Sequence, residues 1–423
     1  MTLGASSTTP EDLGSLAVGQ RSLGDPSVRF PLWPPLTAGC PVTSTEAVSY
    51  PVEVDYAYDK VPTELFTAAP GTTAPGAAAP VLPRGHDRWA PLLPPLHAPG
   101  LGEGGTPLVP FGDGLWIKDE SRNPTWSHKD RINRVTVSAA VGAGAEGIVV
   151  ASSGNHGASA AAYAARAGLR CVVLSSAGTP PAVDAFLRAY GAVVLPVPAD
   201  ARWPLLRRVV ERFGYHPVSN VTPTHTGHAF GPEGYKTLAY EIHADVGVPA
   251  AVFVPTGYGE LLFGVWKGFA ELVALGVADR VPRLFGCEPA AGGPLAAAVR
   301  GGLPAARVPV GETAAYAIDC STGGYRGVVA VRESGGGALL VSDGEMAAAR
   351  DELARGGLWA ELSAAAGLAG YRQLAATGGL GDGPVVCVST SSGFKDRDLL
   401  AGPGSAAVDP EDWEEIVRRV ESG

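Results

Sequence analysis

The chain has 423 residues, with 32 Lys and Arg against 42 Asp and Glu, which gives a formal net charge of -10 at pH 7. This length is sufficient for two or three domains with sizeable cores, because the buried fraction of a chain rises with its size. The acidic balance, without a prominent basic run, argues against nucleic acid or an anionic membrane as partner and favours a small-molecule site.

The cysteines and the N-terminus indicate a reduced, cytoplasmic protein. The N-terminal stretch has neither a basic region nor an apolar core, and no apolar run approaches the roughly 18 residues that a membrane helix needs. No C-x-x-C pair occurs, so we expect neither a disulfide framework nor a zinc ribbon. The five cysteines are Cys40, Cys171, Cys287, Cys320 and Cys387.

Residues 1–84 are rich in Pro, Gly, Ser and Thr. Within them, "FTAAPGTTAPGAAAPVLP" is typical of an extended linker. We therefore predict an irregular N-terminal arm here rather than a core.

From about residue 115, short β-rich runs alternate with Ala-rich helical stretches. "GLWIKDE", "EGIVVAS", "RCVVLSS", "AVVLPV", "AAVFVP", "LFGCE" and "GPVVCVSTS" are strand candidates, and "GASAAAYAARAGL" is a helix that Gly168 ends. Further helices are predicted in "VWKGFAELVALG", "EMAAARDELARGG", "AELSAAAGLAGYRQL" and the charged tail "PEDWEEIVRRVES". Nearly continuous Val, Ile and Leu in the strands predict an α/β fold with a parallel sheet covered on both faces.

Two loops combine a strand end, small residues and a helix start, where open α/β sheets bind ligands. "ASSGNHGAS" (Ala151–Ser159) offers free N–H groups to a carboxylate or phosphate, although N-capping by Ser153 or Asn155 explains it equally well. "PTGYGELLFG" (Pro255–Gly264) suits a phosphate, or is a plain tight turn. It matches neither the dinucleotide fingerprint nor the P-loop.

Two further segments carry reactive or polar side chains. Lys129 in "SHKDR" is either a surface lysine with helical ion pairs or a Schiff-base lysine, and the two loops favour the second interpretation. Thr390 follows the strand in "VCVSTSSGFKD". The histidines of "YHPVSNVTPTHTGHAF" favour a polar loop over a metal site, because they lack a matching carboxylate, and we expect no metal.

These motifs, with "LGEGGTPLVPF", "PEGYKTLAYEI" and "LWAELSAAAGLAG", occur in the order found in a known family. Over residues 100–396 the chain resembles threonine synthase, within the fold-type II (tryptophan synthase β-like) pyridoxal phosphate enzymes. The resemblance implies two doubly wound domains and a homodimer. A large cofactor-binding domain would comprise residues 85–134 and 230–423, and a small α/β domain residues 135–229.

The resemblance also implies the cofactor contacts. Lys129 would form the Schiff base with pyridoxal phosphate, and Asn155 would bind the ring hydroxyl. The Thr390 hydroxyl would meet the pyridine nitrogen. The phosphate would be held by the turn Gly257, Tyr258, Gly259, Glu260 and Leu261.

For the substrate, the resemblance implies an α-amino acid whose carboxylate is bound by the loop after the second strand candidate. The freed Lys129 amine would remove the Cα proton, with Ser153 as a second acid or base. A hydroxyl at the pyridine nitrogen favours β- or γ-elimination or replacement, as in a lyase, over transamination. The implied substrate loop is Ser152, Ser153, Gly154, Asn155 and His156.

The chain departs from the usual threonine synthase pattern near the lysine. Trp126, His128 and Ile132 replace Gly, Phe and Gly, and Glu260 stands where Gly is common. The loop "THTGHAFGPEGYKT" is longer than usual and lacks an Arg. These changes favour a substrate of specialised amino-acid metabolism. Authentic threonine synthase and a catalytically silent binding protein are the alternatives.

Overall fold

The computed structural model describes residues 14–62, 64–67, 85–176, 178–396, 409 and 411–422. Three sheets organise this part of the chain, and helices cover the two larger ones. The helices are α1 Glu64–Thr67, α2 Lys129–Gly142, α3 Asn155–Arg166, α4 Pro181–Ala189, α5 Arg202–Phe213, α6 Gly231–Val246, α7 Glu260–Ala274, α8 Pro294–Gly301, α9 Tyr325–Ser334, α10 Asp343–Arg355, α11 Ala366–Ala375 and α12 Trp413–Ser422.

The largest sheet has six strands in the order β12-β11-β10-β13-β5-β4. All neighbours are parallel except β4, which forms an antiparallel edge hairpin with β5. The central strands β10 and β13 are buried throughout, as their continuous apolar runs predict. The strands are β4 Leu108–Gly112, β5 Leu115–Asp119, β10 Ala251–Pro255, β11 Arg283–Pro289, β12 Gly337–Val341 and β13 Val385–Ser389.

A second sheet has four parallel strands in the order β8-β7-β6-β9. Helix α3 packs on β6 and β7 from one side, and α5 contacts the same two strands. The α/β class with two doubly wound units is thereby confirmed. The strands are β6 Gly147–Ala151, β7 Arg170–Ser175, β8 Val193–Pro196 and β9 His216–Pro217.

The N-terminal segment differs from the predicted arm. Residues 14–62 contain an antiparallel sheet of β1 Ala17–Ser22, β2 Arg29–Phe30 and β3 Val52–Tyr56, in the order β2-β1-β3. Its apolar side chains belong to the main hydrophobic core. The prediction of an arm without a core is therefore wrong for these residues, while most of the linker-like stretch, residues 68–84, lies outside the described residues.

The N-terminal sheet is tied to α6 and α7 by buried polar contacts. The Tyr56 hydroxyl donates to Glu233 at 3.1 Å, and the Lys267 amine donates to the Val54 carbonyl at 2.7 Å. Pairing of the Lys267 amine with Glu233 satisfies both charges inside the core. Composition alone did not predict this sheet, because Pro and Gly in the connections obscured its three short strands.

Helices α2 and α6 pack unusually closely, and this contact shapes the site. A Cβ on Gly234 of α6 would lie 2.1 Å from the Arg131 carbonyl oxygen of α2, so only glycine fits there. Helix α2 also runs through the predicted domain boundary at 134/135. The domain limits remain a prediction.

No helix in the described part of the chain is long and apolar enough to cross a membrane.

Candidate active site

Lys129 is the first residue of α2, and its amine lies beside an unpredicted partner. The Nζ atom donates to the Tyr235 hydroxyl at 3.2 Å. Burial lowers the pKa of the Lys129 amine more than nearby acidic groups, Glu260 first, raise it. The amine therefore loses its proton more readily than an exposed lysine does.

The residues that follow Lys129 fix the start of its helix. Asp130 accepts hydrogen bonds from the Thr125 hydroxyl and the Ser159 hydroxyl, each at 2.6 Å. Arg131 is fully buried and forms ion pairs with Glu120 and Glu241, both at 2.7 Å. The "SHKDR" motif thus combines a partly buried amine, hydrogen-bonded to Tyr235, with two buried anchors.

Trp126 and His128 flank the lysine in distinct ways. Trp126 has φ 63°, a left-handed conformation that favours glycine, and its ring contacts Phe186 and Phe394. The His128 ring stacks on Tyr235 at 5.5 Å, and its Nδ1 donates to the Thr390 carbonyl at 3.1 Å. Burial lowers the pKa of His128 well below its usual range, so this ring is neutral near pH 7.

The glycine-bearing turn lies between β10 and α7, as predicted. A Cβ on Gly257 would be 2.9 Å from the Cys320 thiol, and one on Gly259, where φ is 86°, would be 2.8 Å from the Gly327 Cα. The Tyr258 ring between them stacks on His225 at 4.0 Å with an interplanar angle of 8°. The turn is therefore a glycine-dependent cradle, because a side chain at Gly257 or Gly259 would clash with its neighbours.

Glu260 begins α7 and points toward the loop that precedes α6. A Cβ on Gly227 would lie 1.9 Å from its Oε1, and its Oε2 lies 3.8 Å from the Nε2 of His225. The Oε1 atom is buried without a hydrogen-bond partner among the described residues, and burial raises the pKa of this carboxyl. A raised pKa reduces the negative charge that it brings to the turn.

The loop predicted to bind the substrate connects β6 to α3. Helix α3 has Gly154 as N-cap, no side-chain cap and no acidic residue in its first turn. The Ser152 hydroxyl accepts from the Gly154 N–H at 3.2 Å, and the Ser153 hydroxyl accepts from Arg202 at 3.3 Å. Burial and the charge of Lys129 lower the pKa of His156 to about 3, so its ring is neutral.

Asn155 faces Glu361, which lies between α10 and α11, and Ser391, which follows β13. Its Nδ2 donates to the Oε2 of Glu361 at 2.7 Å, and its Oδ1 accepts from the Ser391 hydroxyl at 3.2 Å. Within the described part of the chain, the other oxygen of Glu361 is buried without a hydrogen-bond partner. Thr390, next to Ser391, is only 6% exposed. The predicted segments around Lys129, Asn155, Gly257 and Thr390 thus lie close together, and we call the region between them the cleft.

Comparisons with known proteins agree with this geometry. The family described as "Pyridoxal-phosphate dependent enzyme" matches residues 100–391. Threonine synthase from Methanosarcina acetivorans is 34% identical over 74% of this chain and 80% of its own length. Threonine synthase from Mycobacterium tuberculosis is 34% identical over 80% of this chain and 92% of its own length.

The chain belongs to the pyridoxal-phosphate-dependent enzymes of threonine synthase type. It is therefore a lyase or synthase that depends on this cofactor. Among solved structures, a processed threonine deaminase isoform from Solanum lycopersicum shares its fold, with a TM-score of 0.60 and 19% identity over 75% of this chain and 84% of that one. Maize serine racemase gives a TM-score of 0.56 at 19% identity over 73% and 88%.

The residues of this pyridoxal-phosphate-dependent enzyme fit the cofactor. The Gly257–Gly259 cradle suits a phosphate, and the Lys129 amine suits an aldehyde. The Glu361 oxygen that lacks a partner among the described residues marks a polar position close to Asn155. These features come from segments that are distant in sequence. Their proximity supports a single cofactor site over the alternative that each loop is only an ordinary turn.

Sequence reasoning missed several residues of this cleft. Tyr235 and Glu361 stand inside quoted motifs, "PEGYKT" and "AELSAAAG", but no local pattern indicates that their side chains face Lys129 and Asn155. Cys320 and Arg202 lie outside every motif and reach the site through folding alone.

The predicted histidine loop contains a buried hydrogen bond between His216 and His228 at 2.8 Å. Among the described residues, no group of acidic, His or Cys side chains could hold a metal.

Proposed function

We propose that this enzyme removes the Cα proton of an α-amino acid and then eliminates or replaces a β or γ substituent. When bound, pyridoxal phosphate would accept the electrons of the Cα–H bond. The chain would supply the base, the phosphate cradle and the carboxylate loop. The observation that carries this proposal is the Lys129 amine, 3.2 Å from the Tyr235 hydroxyl, in the cleft that also contains the Gly257–Gly259 turn.

Lys129 would first hold the cofactor as a Schiff base and then act as the base. Both roles need an unprotonated amine, which the burial of Lys129 favours. The Tyr235 hydroxyl would keep that amine in place when it is free. Since the Ser153 hydroxyl accepts from Arg202, its own proton stays available for donation, which supports Ser153 as second acid or base.

The polar groups around Asn155 support the proposed cofactor and substrate contacts. Its Nδ2 donates one hydrogen to Glu361. The second hydrogen of this amide would be donated to the hydroxyl of the pyridoxal ring. The Thr390 hydroxyl would meet the pyridine nitrogen, and the amides of the turn from Gly257 through Tyr258, Gly259 and Glu260 to Leu261 would hold the phosphate. The backbone of Ser152, Ser153, Gly154, Asn155 and His156 would bind the substrate carboxylate.

The substrate is proposed to belong to specialised amino-acid metabolism, and Trp126 and His128 are proposed to alter specificity. Authentic threonine synthase is the second candidate, because the curated relatives carry that name at 34% identity. A catalytically silent binding protein is the third. Cytoplasmic location and a homodimer complete the proposal.

Absorbance of the purified protein tests the cofactor role. The wild type with added pyridoxal phosphate should show a band near the visible boundary, and Lys129→Ala should lack it. Lys60→Ala, which changes an exposed lysine, should retain the band. If the wild type with added pyridoxal phosphate shows no such absorbance band, the proposal is wrong.

Turnover separates the enzyme candidates. Incubation with O-phosphohomoserine, followed by assays for phosphate and threonine, should give slow or no formation of both. Rapid formation of both products would establish authentic threonine synthase instead. A wild type with the absorbance band but no spectral response to any amino acid in a broad panel would favour the silent binding protein.

A further inference from the structure

Arg202 reaches the substrate loop from a different part of the chain. It is the first residue of α5 and is half-buried. Its Nη1 donates to the Ser153 hydroxyl at 3.3 Å, and its Nε donates to the Ala199 carbonyl at 3.4 Å. The guanidinium is thereby held beside the loop that would bind substrate.

The positive charge of Arg202 lacks a carboxylate partner within the described chain. No described carboxylate forms an ion pair with it, including exposed Asp200 two residues earlier. By contrast, Arg188 on the neighbouring helix α4 pairs with Asp184 at 2.7 Å. A cation at a helix N-terminus is also disfavoured by the helix dipole. Helix stability and ion pairing therefore do not explain an arginine at this position.

Two helix N-termini add to the same positive potential. Helices α3 and α5 both lack a side-chain cap and an acidic residue in the first turn. The contact between Arg202 and Ser153 brings the N-terminus of α5 beside the N-terminus of α3. Free N–H groups and a guanidinium together favour an oxyanion between them.

The residue after Arg202 approaches the cofactor turn. The Tyr258 ring is 36% exposed and lies 6.3 Å from the ring of Trp203, the residue after Arg202. Cys320 and burial raise the pKa of Tyr258, and the charge of Arg202 opposes them. Arg202 thus lies near both the predicted substrate loop and the predicted phosphate turn.

We propose that Arg202 determines specificity by binding an oxyanion on the substrate side chain, either a phosphate ester or a carboxylate. The inference rests on the proposed function, because it places an amino acid in this cleft. The loop backbone is left for the α-carboxylate, since Arg202 contacts the Ser153 side chain rather than the loop amides.

Isothermal titration of the holoenzyme tests this with three unreactive ligands of similar length. These are the phosphonate analogue of L-glutamate, L-glutamate itself and neutral L-norvaline. The proteins are wild type, Arg202→Ala, Arg202→Lys and Arg208→Ala, the last changing an exposed arginine on the same helix. Circular dichroism confirms that each variant is folded.

Arg202→Ala should weaken binding of one charged ligand about 10- to 100-fold and leave L-norvaline unchanged. Arg202→Lys should recover part of the loss, and Arg208→Ala should match wild type. A larger loss for the phosphonate identifies a phosphate ester, and a larger loss for L-glutamate a carboxylate. The inference is overturned if Arg202→Ala loses affinity equally for all three ligands or loses none. It is also overturned if the wild type binds L-norvaline as tightly as both charged ligands. Failure of the proposed function is distinct, because it appears as a missing absorbance band.

Discussion

The amine of Lys129 lies 3.2 Å from the hydroxyl of Tyr235, although 106 residues separate them. The contact exists because Gly234, next to Tyr235, lets α6 approach the backbone of α2. The Tyr235 ring is also fully buried and stacked on His128. The hydroxyl that contacts the amine is therefore fixed by packing from two directions.

Tyr235→Phe should keep the cofactor but slow catalysis. Loss of one hydrogen bond, worth about 1 kcal/mol, should reduce kcat about fivefold with little change in KM. Steady-state kinetics on whichever amino acid gives a spectral response checks this. Tyr371→Phe, which removes a hydroxyl from α11, serves as control. An unchanged kcat in Tyr235→Phe would show that the hydroxyl does not position the amine.

Arg131→Ala should be strongly destabilising. The fully buried guanidinium pairs with Glu120 and Glu241, and its removal leaves two buried carboxylates without that partner. Breaking such a buried pair costs about 3–5 kcal/mol in the free energy of unfolding. Denaturant titration measures it against Arg188→Ala, whose exposed pair with Asp184 contributes about 0.5 kcal/mol or less. Similar losses in the two variants would contradict this interpretation.

Buried His86 should make the protein less stable in mild acid. Burial lowers its pKa from 6.5 to about 4, and its Nε2 donates to the Gly234 carbonyl at 3.0 Å. Between these pH values the unfolded chain binds a proton that the folded protein does not, so stability falls as pH decreases from 6.5 toward 4. The full loss from this group is on the order of 3 kcal/mol.

His86→Gln removes the titrating ring and should flatten that dependence. The free energy of unfolding, measured in urea at pH 7 and pH 5, should differ less between the two conditions in the variant than in wild type. Other buried histidines, such as His156 and His216, keep part of the slope. An equal pH dependence in the variant and wild type would refute the assignment.

The sequence patterns predicted the elements that carry continuous apolar runs. Strands β10 and β13 are buried on both faces, and periodicity needs no tertiary information to find them. The strand "VEVDY" was missed because Pro- and Gly-rich connections surround it, although every residue in it is buried. The antiparallel edge strand β4 likewise has a mixed burial pattern and a central Pro.

For the site, local motifs predicted the residues that begin helices, namely Lys129, Asn155 and the turn before Glu260. Their partners were not predictable in the same way. Glu361 lies 206 residues from Asn155, and Arg202 lies 49 residues from Ser153. Which side chains meet across a cleft depends on sheet order and helix packing, which no local pattern contains.

The most direct test of the central claim is borohydride reduction of the cofactor-loaded protein, followed by peptide mass mapping. Lys129 is predicted to carry the reduced pyridoxal phosphate adduct. Lys395 is an internal comparison, because burial lowers its pKa to about 8 while its amine stays bonded to the Thr125 carbonyl. An adduct on Lys129 alone is the predicted result. An adduct on Lys395 or another lysine, or no adduct, would contradict the account.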